Sequence, residues 1–167
     1  MTSDDKDAEF RKRTQKKYPM LTPPQLRPAS LDDLQNVLAL LRSCELLESG
    51  VAEAIGNFLV APSSNGLLGC AGLEVYGDLG LLRSVAVDSR ARRFGLGRKL
   101  VEGVVELGRR RRLRELYLLT TTAPEFFGRL GFLSTARALV PATVAASWEF
   151  QTGCPQTALP MRLALEG

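Results

Sequence analysis

Apolar residues recur along the chain with two spacings, and these spacings predict an alternation of strands and helices. After Ser30, a favourable N-cap residue, leucines at positions 31, 34, 38 and 41 follow the spacing of one helix face. The apolar runs Leu67–Tyr76 and Leu79–Val87 flank Gly77–Asp78, a dipeptide typical of a hairpin turn. Apolar residues at positions 96, 100 and 104, and at 101 and 105, predict a long helix that ends near Arg112.

The complete pattern predicts the element order β-α-α-β-β-β-α-β-α-(β)-α-β. Strands are expected over residues 26–28, 58–61, 67–76, 79–87, 115–121 and 159–165, and shorter helices over 31–41, 51–57, 141–150 and a stretch that ends at 130. Thr122 and Glu125 are interpreted as a capping box on that stretch, which Gly131 ends. Tight turns predict antiparallel pairing, and the later strand–helix–strand crossover predicts a parallel neighbour. The expected fold class is α/β (α+β), with a mixed, mostly antiparallel sheet flanked by helices.

Length and composition predict one folded domain. The chain has 167 residues, 45% of them hydrophobic, and the domain is expected over residues 25–167. Residues 1–24 are polar with a basic excess and are expected to be a disordered basic tail. The sequence shows no apolar run of membrane-spanning length and no secretory h-region. Three widely spaced cysteines do not suggest a disulfide framework, so a cytoplasmic protein is expected.

The absence of histidine narrows the chemistry that the chain can perform. It excludes Ser–His and Cys–His nucleophiles, histidine bases and histidine zinc sites, and three scattered cysteines are too few for a thiolate site, so no metal is expected. A general base must be a carboxylate, a deprotonated Lys, Tyr or Cys, or a water chain. Residues 26–167 hold 16 basic and 14 acidic residues, and so small an excess does not favour a nucleic-acid surface.

The segment from Arg92 to Gly97 joins a strand that ends at Val87 to the start of the long helix. Helix N-termini present unsatisfied N–H groups and a positive dipole end, which suit a pyrophosphate. Glycines 95 and 97 let the backbone approach phosphates closely, and arginines 92, 93 and 98 add positive charge. The chain lacks Gly-Lys-Ser/Thr at this loop, and the loop follows a hairpin-rich region, so neither a Walker A loop nor a dinucleotide-binding domain is favoured.

The pattern Arg92-x-x-Gly95-x-Gly97 resembles the acyl-CoA pyrophosphate motif of the GNAT (GCN5-related N-acetyltransferase) superfamily. Downstream, Phe126–Phe132 resembles that family's Phe-Tyr-x-x-Leu-Gly-Phe segment, and the element order matches over about residues 26–165. The resemblance implies a GNAT-like acyl-CoA N-acyltransferase fold, splayed between strands four and five. It also implies that acetyl-CoA donates its acetyl group directly to a bound amine. The family's frequent tyrosine proton donor corresponds to Phe127 here, which puts a general acid at this position in doubt.

The resemblance implies how acetyl-CoA would lie. Its pyrophosphate would bind backbone N–H groups of residues 93–98, and its pantetheine arm would pair like a strand with residues 85–87. A backbone N–H near Val85–Ala86 would polarise the thioester carbonyl. The implied donor-binding residues are Val85, Ala86, Val87, Arg92, Arg93, Phe94, Gly95, Leu96, Gly97, Arg98 and Phe127.

Two charged residues stand in otherwise apolar strands, Glu74 in the third and Arg83 in the fourth. With a hairpin loop of two or four residues, both side chains point to the same face as diagonal or direct cross-strand neighbours. Either Glu74 takes a proton from the acceptor amine while Arg83 binds an anionic group of the acceptor, or the two form a structural pair on a solvated face. Thr120 and Thr121 are further candidates for acceptor binding, although strand preference alone explains threonines there.

Weaker resemblances narrow the chemical class of the acceptor molecule. The stretches 82–87, 118–122 and 126–127 resemble the GNAT branch associated with arsenic-resistance genes, and Leu-Thr-Thr is similar to glutamate N-acetyltransferase domains. Both imply a small, amino-acid-like amine acceptor, with an arsenical, an amino acid and an unrelated xenobiotic left open. A non-catalytic acyl-CoA-binding module, a nucleic-acid-associated protein and a protein acetyltransferase stay as alternatives. No membrane partner is expected, and a homodimer is left open.

Overall fold

Within residues 24–166, seven strands form one sheet with the spatial order β1-β2-β3-β4-β5-β7-β6. The structure is a computed structural model that describes residues 24–166. The strands are β1 (Arg27–Pro28), β2 (Phe58–Ser63), β3 (Gly66–Tyr76), β4 (Leu79–Val87), β5 (Glu115–Thr120), β6 (Leu133–Ser134) and β7 (Leu159–Ala164). The α-helices are α1 (Leu34–Ser43), α2 (Val51–Ala54), α3 (Leu96–Arg110), α4 (Pro124–Arg129) and α5 (Ala142–Ala145). Short 3-10 turns cover Leu31–Asp33, Ile55–Asn57, Ser89–Ala91 and Arg137–Leu139, and a π-type turn covers Glu149–Gly153.

The sheet is antiparallel except where β4 meets β5. The β3–β4 hairpin turns at Gly77–Asp78, since Tyr76 pairs with Leu79. The parallel β4–β5 pairing involves only Leu79–Leu81 of β4, and beyond Leu81 the two strands separate. The predicted fold class, a mixed sheet splayed between the fourth and fifth strands, is confirmed.

Helix α3 covers one face of the sheet with the apolar stripe that its sequence predicts. Leu96, Leu100 and Val104 are buried in a cluster with Leu82 of β4 and Leu116 of β5. Burial of such side chains is the main source of stability for an amphipathic helix. This packing fixes the N-terminus of α3 beside the end of β4.

Helices α1 and α2 cover the opposite face. Val37 and Leu41 of α1 pack with Phe58 of β2 and Cys70 of β3. The Phe58 ring lies directly over Gly72, where an added Cβ atom would come within 2.3 Å of the ring. Both faces of the central strands are therefore covered, which accounts for their almost continuous apolar sequence.

The start of α4 differs from the prediction. The residue before Pro124 is Ala123, which offers no side-chain cap, so the predicted Thr122–Glu125 capping box is wrong. Thr120 provides a hydrogen-bonding oxygen instead, and its Oγ1 accepts from the Ala123 N–H at 3.0 Å. The physical reason is that β5 ends at Thr120, one residue earlier than expected, so that the turn starts with this side chain.

The segment between β6 and β7 also differs from the prediction. The single helix expected over residues 141–150 is two short pieces, α5 and the π-type turn, separated by residues 146–148. The predicted tail over residues 1–24 lies outside the described residues, apart from Pro24.

Candidate active site

A cavity of about 360 Å³ occupies the space where β4 and β5 separate. Residues 82–85 of β4 form one wall, and residues 118–123 form another at the end of β5. The charged side chains of the lining are those of Glu45, Arg83 and Glu149. The other lining residues outside the two strands are Leu46, Leu47, Phe126, Phe127, Gly153, Cys154 and Pro155.

A β-bulge in β4 lies in the wall of this cavity. Cys70 pairs with Ala86 and Gly72 pairs with Arg83, so one residue of β3 faces two of β4. Ser84, at the bulge, has a φ of 55°, and its carbonyl accepts a hydrogen bond from the Cys70 thiol at 3.3 Å. A bulge bends its strand and locally interrupts the ladder. Because β5 does not pair with residues 82–87, backbone groups on that side of β4 are available to a ligand.

A second cavity, of about 260 Å³, lies at the N-terminus of α3. Gly95 is the N-cap residue and has a φ of 74°, a left-handed conformation that glycine adopts without strain. The first N–H groups of α3 have no partners within the helix, and the helix dipole adds partial positive charge there. Phe126 borders both cavities, so the two adjoin at its side chain.

The arginines of this loop differ in their partners. Arg92 Nε donates to the Val87 carbonyl at 3.2 Å, and Arg98 Nε donates to Glu102 at 2.8 Å. Within residues 24–166, no group accepts a hydrogen bond from the side chain of Arg93, which is exposed. In the described part of the chain, Arg93 is therefore the loop arginine without a hydrogen-bond partner, which suits it to bind a phosphate.

Two of the predicted donor-binding residues lie away from the cavities. The Ala86 side chain is buried in the core beneath α1, and Phe94 is 44% exposed outside both linings. Phe126, in contrast, is not among the predicted residues. Its position next to Phe127 in the sequence could have indicated that it lies at the site. The other predicted donor residues line one cavity or the other: Val85, Val87, Arg92, Arg93, Gly95, Leu96, Gly97, Arg98 and Phe127.

Arg83 is the buried centre of an ionic network. Its side chain is 1% exposed and forms an ion pair with Glu74, which also accepts a hydrogen bond from the Tyr76 hydroxyl. Arg83 Nη2 donates to the Ser49 carbonyl at 2.6 Å. Arg83 Nε lies 3.4 Å from Glu149 Oε1. The predicted same-face arrangement of Glu74 and Arg83 is observed, but Arg83 is buried, not solvated, and Glu74 does not line the cavity.

Glu149 is the site residue that the sequence prediction misses. It is 7% exposed, lines the larger cavity and lies in the π-type turn. Burial raises its pKa to about 7, against the opposing effect of the Arg83 guanidinium and with a further rise from Glu74. A signal was present, since Glu149 is the sole charged residue between Arg137 and Arg162.

The turn that carries Glu149 is held from two sides. Trp148 packs on Gly153, where an added Cβ atom would come within 2.4 Å of the indole ring. Arg137 donates hydrogen bonds to the carbonyls of Phe150, Pro155 and Ala158, and its guanidinium lies 5.6 Å from the centre of the Phe150 ring. π-type turns are rare and are frequently found at functional sites.

The remaining predicted residues lie on the cavity wall. Thr120 and Thr121 both line it, although the Thr120 hydroxyl already accepts the Ala123 N–H. Phe127 is buried and makes edge-to-face contacts with Phe126 and Phe132. Within residues 24–166, no group of three or more Cys, Asp or Glu residues is arranged to hold a metal ion. None of the helices in that range has the length and apolar character needed to cross a membrane.

The arrangement can be compared with known proteins. Residues 54–133, from α2 to β6, match the family model of the acetyltransferase (GNAT) domain. This match identifies residues 54–133 as a GNAT acetyltransferase domain. The bulged strand β4, the loop at the N-terminus of α3 and helix α4 with its phenylalanine pair all fall within the matched region of this GNAT domain.

Relatives of the GNAT domain include amino-acid acetyltransferases. The one from Mycobacterium tuberculosis is 36% identical over 96 residues, which cover 55% of each chain. The one from Pseudomonas paraeruginosa is 29% identical over 138 residues, which cover 76% of this chain. The chain spans only 32% of the length of that Pseudomonas relative.

Solved structures share the fold of the GNAT domain. Rv2747 from Mycobacterium tuberculosis, in complex with CoA and NLQ, gives a TM-score of 0.72 at 26% identity and covers 86% of this chain and 100% of its own. N-acetylglutamate synthase from Neisseria gonorrhoeae, complexed with coenzyme A and N-acetyl-glutamate, gives a TM-score of 0.75 at 23% identity. That match covers 86% of this chain and 35% of the synthase, and it supports the fold alone.

Proposed function

We propose that the protein is an acetyl-CoA-dependent N-acetyltransferase that acts on the amine of a small, amino-acid-like acceptor. The observation that carries this proposal is the pair of adjoining cavities. One lies at the N-terminus of α3 among arginines, and the other holds a buried ionic network where β4 and β5 separate. A phosphate-bearing donor and a charged acceptor would therefore meet at Phe126.

The donor site uses the backbone more than side chains. The pyrophosphate binds the free N–H groups at the start of α3, with Arg93 as an additional cation. The pantetheine arm pairs with residues 85–87, which β5 leaves unpaired. At the bulge, an N–H near Val85–Ala86 polarises the thioester carbonyl, as an oxyanion hole does. The crystallised complexes of Rv2747 and of the Neisseria synthase with CoA support this proposal.

The acceptor site favours a small molecule with an amine and an anionic group. Among the residues that the structure describes, Arg83 is the one cation in the lining of the larger cavity, and two carboxylates, Glu45 and Glu149, lie in the same lining. Arg83 Nε donates to Ser84 Oγ at 3.0 Å, but Nη1 and Nη2 each keep one N–H beyond those that bind Glu74 and the Ser49 carbonyl, so Arg83 can also contact an acceptor carboxylate. Glutamate-like amino acids and arsenic-containing amino-acid analogues both fit this description, and the names of the amino-acid acetyltransferase relatives support the amino-acid class.

The experiment is a measurement of free thiol release from acetyl-CoA with a panel of acceptors. The panel contains α-amino acids, arsenic-containing analogues, polyamines and peptides. We expect turnover with α-amino acids and a KM raised by Arg83→Gln, with thermal unfolding used to confirm that the variant is folded. Turnover confined to peptides or polyamines would contradict the acceptor class.

A second candidate function, a non-catalytic acyl-CoA-binding module, is favoured by one observation. Phe127 has no hydroxyl to protonate a departing thiolate, and its ring packs between Phe126 and Phe132. The module would bind acetyl-CoA and release no thiol with any acceptor. A CoA thiol has a pKa near that of cysteine, about 8.5, and leaves without an acid near neutral pH, so we favour the transferase.

A further inference from the structure

We propose that Glu149 is the residue that takes the proton from the acceptor amine, an assignment that rests on the proposed transferase function. Glu149 lines the same cavity as the bulged residues Ser84 and Val85, beside which the thioester would lie. An ammonium cannot attack a thioester, so a base must face the space inside this cavity. Glu149 is the buried carboxylate that faces this space.

The competing carboxylate, Glu74, is less suited to this role. One of its oxygens is bound by Arg83 and the other by the Tyr76 hydroxyl, and the residue does not line the cavity. The Glu149 carboxylate, in contrast, accepts no hydrogen bond from any group in residues 24–166, and its nearest cation is Arg83 Nε at 3.4 Å. A carboxylate with unused lone pairs beside the cavity can accept a proton from a ligand.

The charges around Glu149 favour a cationic group in the cavity. The ionisable groups that affect it are Arg83 from β4, Glu74 and Tyr76 from β3, and Cys154 from its own segment. Glu45 lines the same cavity but is exposed. Two carboxylates thus share one guanidinium, and an acceptor ammonium would restore neutrality. Burial raises the pKa of both Tyr76 and Cys154, so these groups stay protonated near neutral pH and neither is the base.

With these groups, every proton and electron pair of the acetyl transfer is accounted for. The Glu149 carboxylate takes one proton from the acceptor ammonium, and the freed nitrogen lone pair attacks the thioester carbonyl carbon. The new C–N bond forms and the C–S bond breaks, with its electron pair leaving on sulfur. The second nitrogen proton neutralises the thiolate to give CoA, and Glu149 returns its proton to solvent. Burial brings the pKa of Glu149 to about 7, close to the working range of a base near neutral pH.

The test compares the wild type with Glu149→Gln and Glu74→Gln, using the α-amino acid with the highest wild-type turnover. Glu106→Gln, on the exposed side of α3, is the matched control. For each protein, kcat and KM are measured from pH 5 to pH 9, and the Kd for CoA is measured separately. We expect the wild-type kcat/KM to rise with pH through an apparent pKa of about 7. We expect Glu149→Gln to lower kcat by about 100- to 10,000-fold, to lose this inflection and to keep the Kd for CoA.

Four outcomes would overturn the assignment. If Glu149→Gln keeps the rate and the inflection while the wild type is active, the proposed function stands and this inference fails. If Glu74→Gln loses the inflection and Glu149→Gln keeps it, Glu74 is the base. If the wild type binds CoA but acetylates no amine, the proposed function fails and this inference with it. If Glu149→Gln does not fold, the pH dependence of the wild-type kcat/KM tests the assignment. A kcat/KM that does not change between pH 6 and pH 8 would contradict a base with this pKa.

Discussion

Glu74 on β3 and Arg83 on β4 are diagonal neighbours across the hairpin, and they form an ion pair in which the Arg83 side chain is buried. Glu74 lies opposite Leu81, two residues before Arg83, and the Arg83 side chain is 1% exposed whereas that of Glu74 is 18% exposed. A buried ion pair is costly to break, because the remaining partner becomes an uncompensated charge. The pair therefore holds a buried positive charge in the lining of the larger cavity.

The first prediction concerns the stability contributed by this network. Arg83→Met would leave Glu74 and Glu149 without their shared cation, and we expect the free energy of unfolding to fall by about 3–5 kcal/mol. Urea denaturation followed by circular dichroism measures it. The matched control is Arg42→Met, which breaks the exposed pair with Glu48 and should cost about 0–1 kcal/mol. Equal losses in the two variants would show that burial of the Arg83 pair has no energetic weight.

The second prediction concerns the pH dependence of stability. The folded pKa of Glu149 lies above the ordinary value of 4.5, at about 7. Its protonated form therefore favours the folded state, and this contribution is complete below pH 4.5 and is lost as pH rises through 7. Glu149→Gln removes the titration, so the variant should gain stability relative to the wild type by roughly 2–3 kcal/mol between pH 4.5 and pH 8. A difference between the two proteins that does not change with pH would refute the raised pKa.

The third prediction concerns the packing of Phe58 on β3. Gly72→Ala places a Cβ atom 2.3 Å from the Phe58 ring, and the ring is buried and cannot move freely. Overpacking of this kind typically costs about 1–3 kcal/mol. Gly56→Ala is the control, because nothing lies within 4 Å of its added Cβ atom. Thermal unfolding of the two variants should show a lower Tm for Gly72→Ala alone.

The fourth prediction concerns the donor loop. Arg93→Gln removes the guanidinium that has no partner among the described residues, and we expect the Kd for CoA to rise about fivefold, equivalent to about 1 kcal/mol. Isothermal titration calorimetry at low and high salt measures the effect, which should shrink as salt screens the phosphate charge. Arg110→Gln, at the far end of α3, should leave the Kd unchanged. A similar loss in both variants would indicate general electrostatic attraction and not a contact at the loop.

Much of the donor site follows from the sequence, because it depends on local pattern. A strand, a glycine-bearing loop and an amphipathic helix follow one another directly, and the apolar stripe that packs α3 on the sheet is visible in the sequence, so the position of its N-terminus beside residues 85–87 could be predicted. The Glu74–Arg83 relationship follows in the same way, since the two-residue turn at 77–78 sets the register. The burial of Arg83 does not follow, because it depends on Ser49 and Glu149, which are distant in sequence.

Glu149 shows why the rest of the site could not be predicted from the sequence. The sequence around Glu149 predicts a short helix. The chain instead forms a π-type turn held by Arg137, which donates a hydrogen bond to a carbonyl 21 residues along the chain. The capping box at Thr122 failed for a similar reason, since the end of β5 is set by pairing with β7 and not by local propensity. Tertiary contacts decide such short irregular segments.

The separation of β4 from β5 leaves two strand edges facing one another inside the sheet. An unpaired edge is a template for any extended chain, and most proteins protect such edges at the sheet margin. Here the gap is internal, and a pantetheine arm is narrow enough to complete it. In the proposed complex the donor is therefore an eighth strand of the architecture as well as a reactant, so cellular acetyl-CoA would set how firmly the two halves of the sheet hold together.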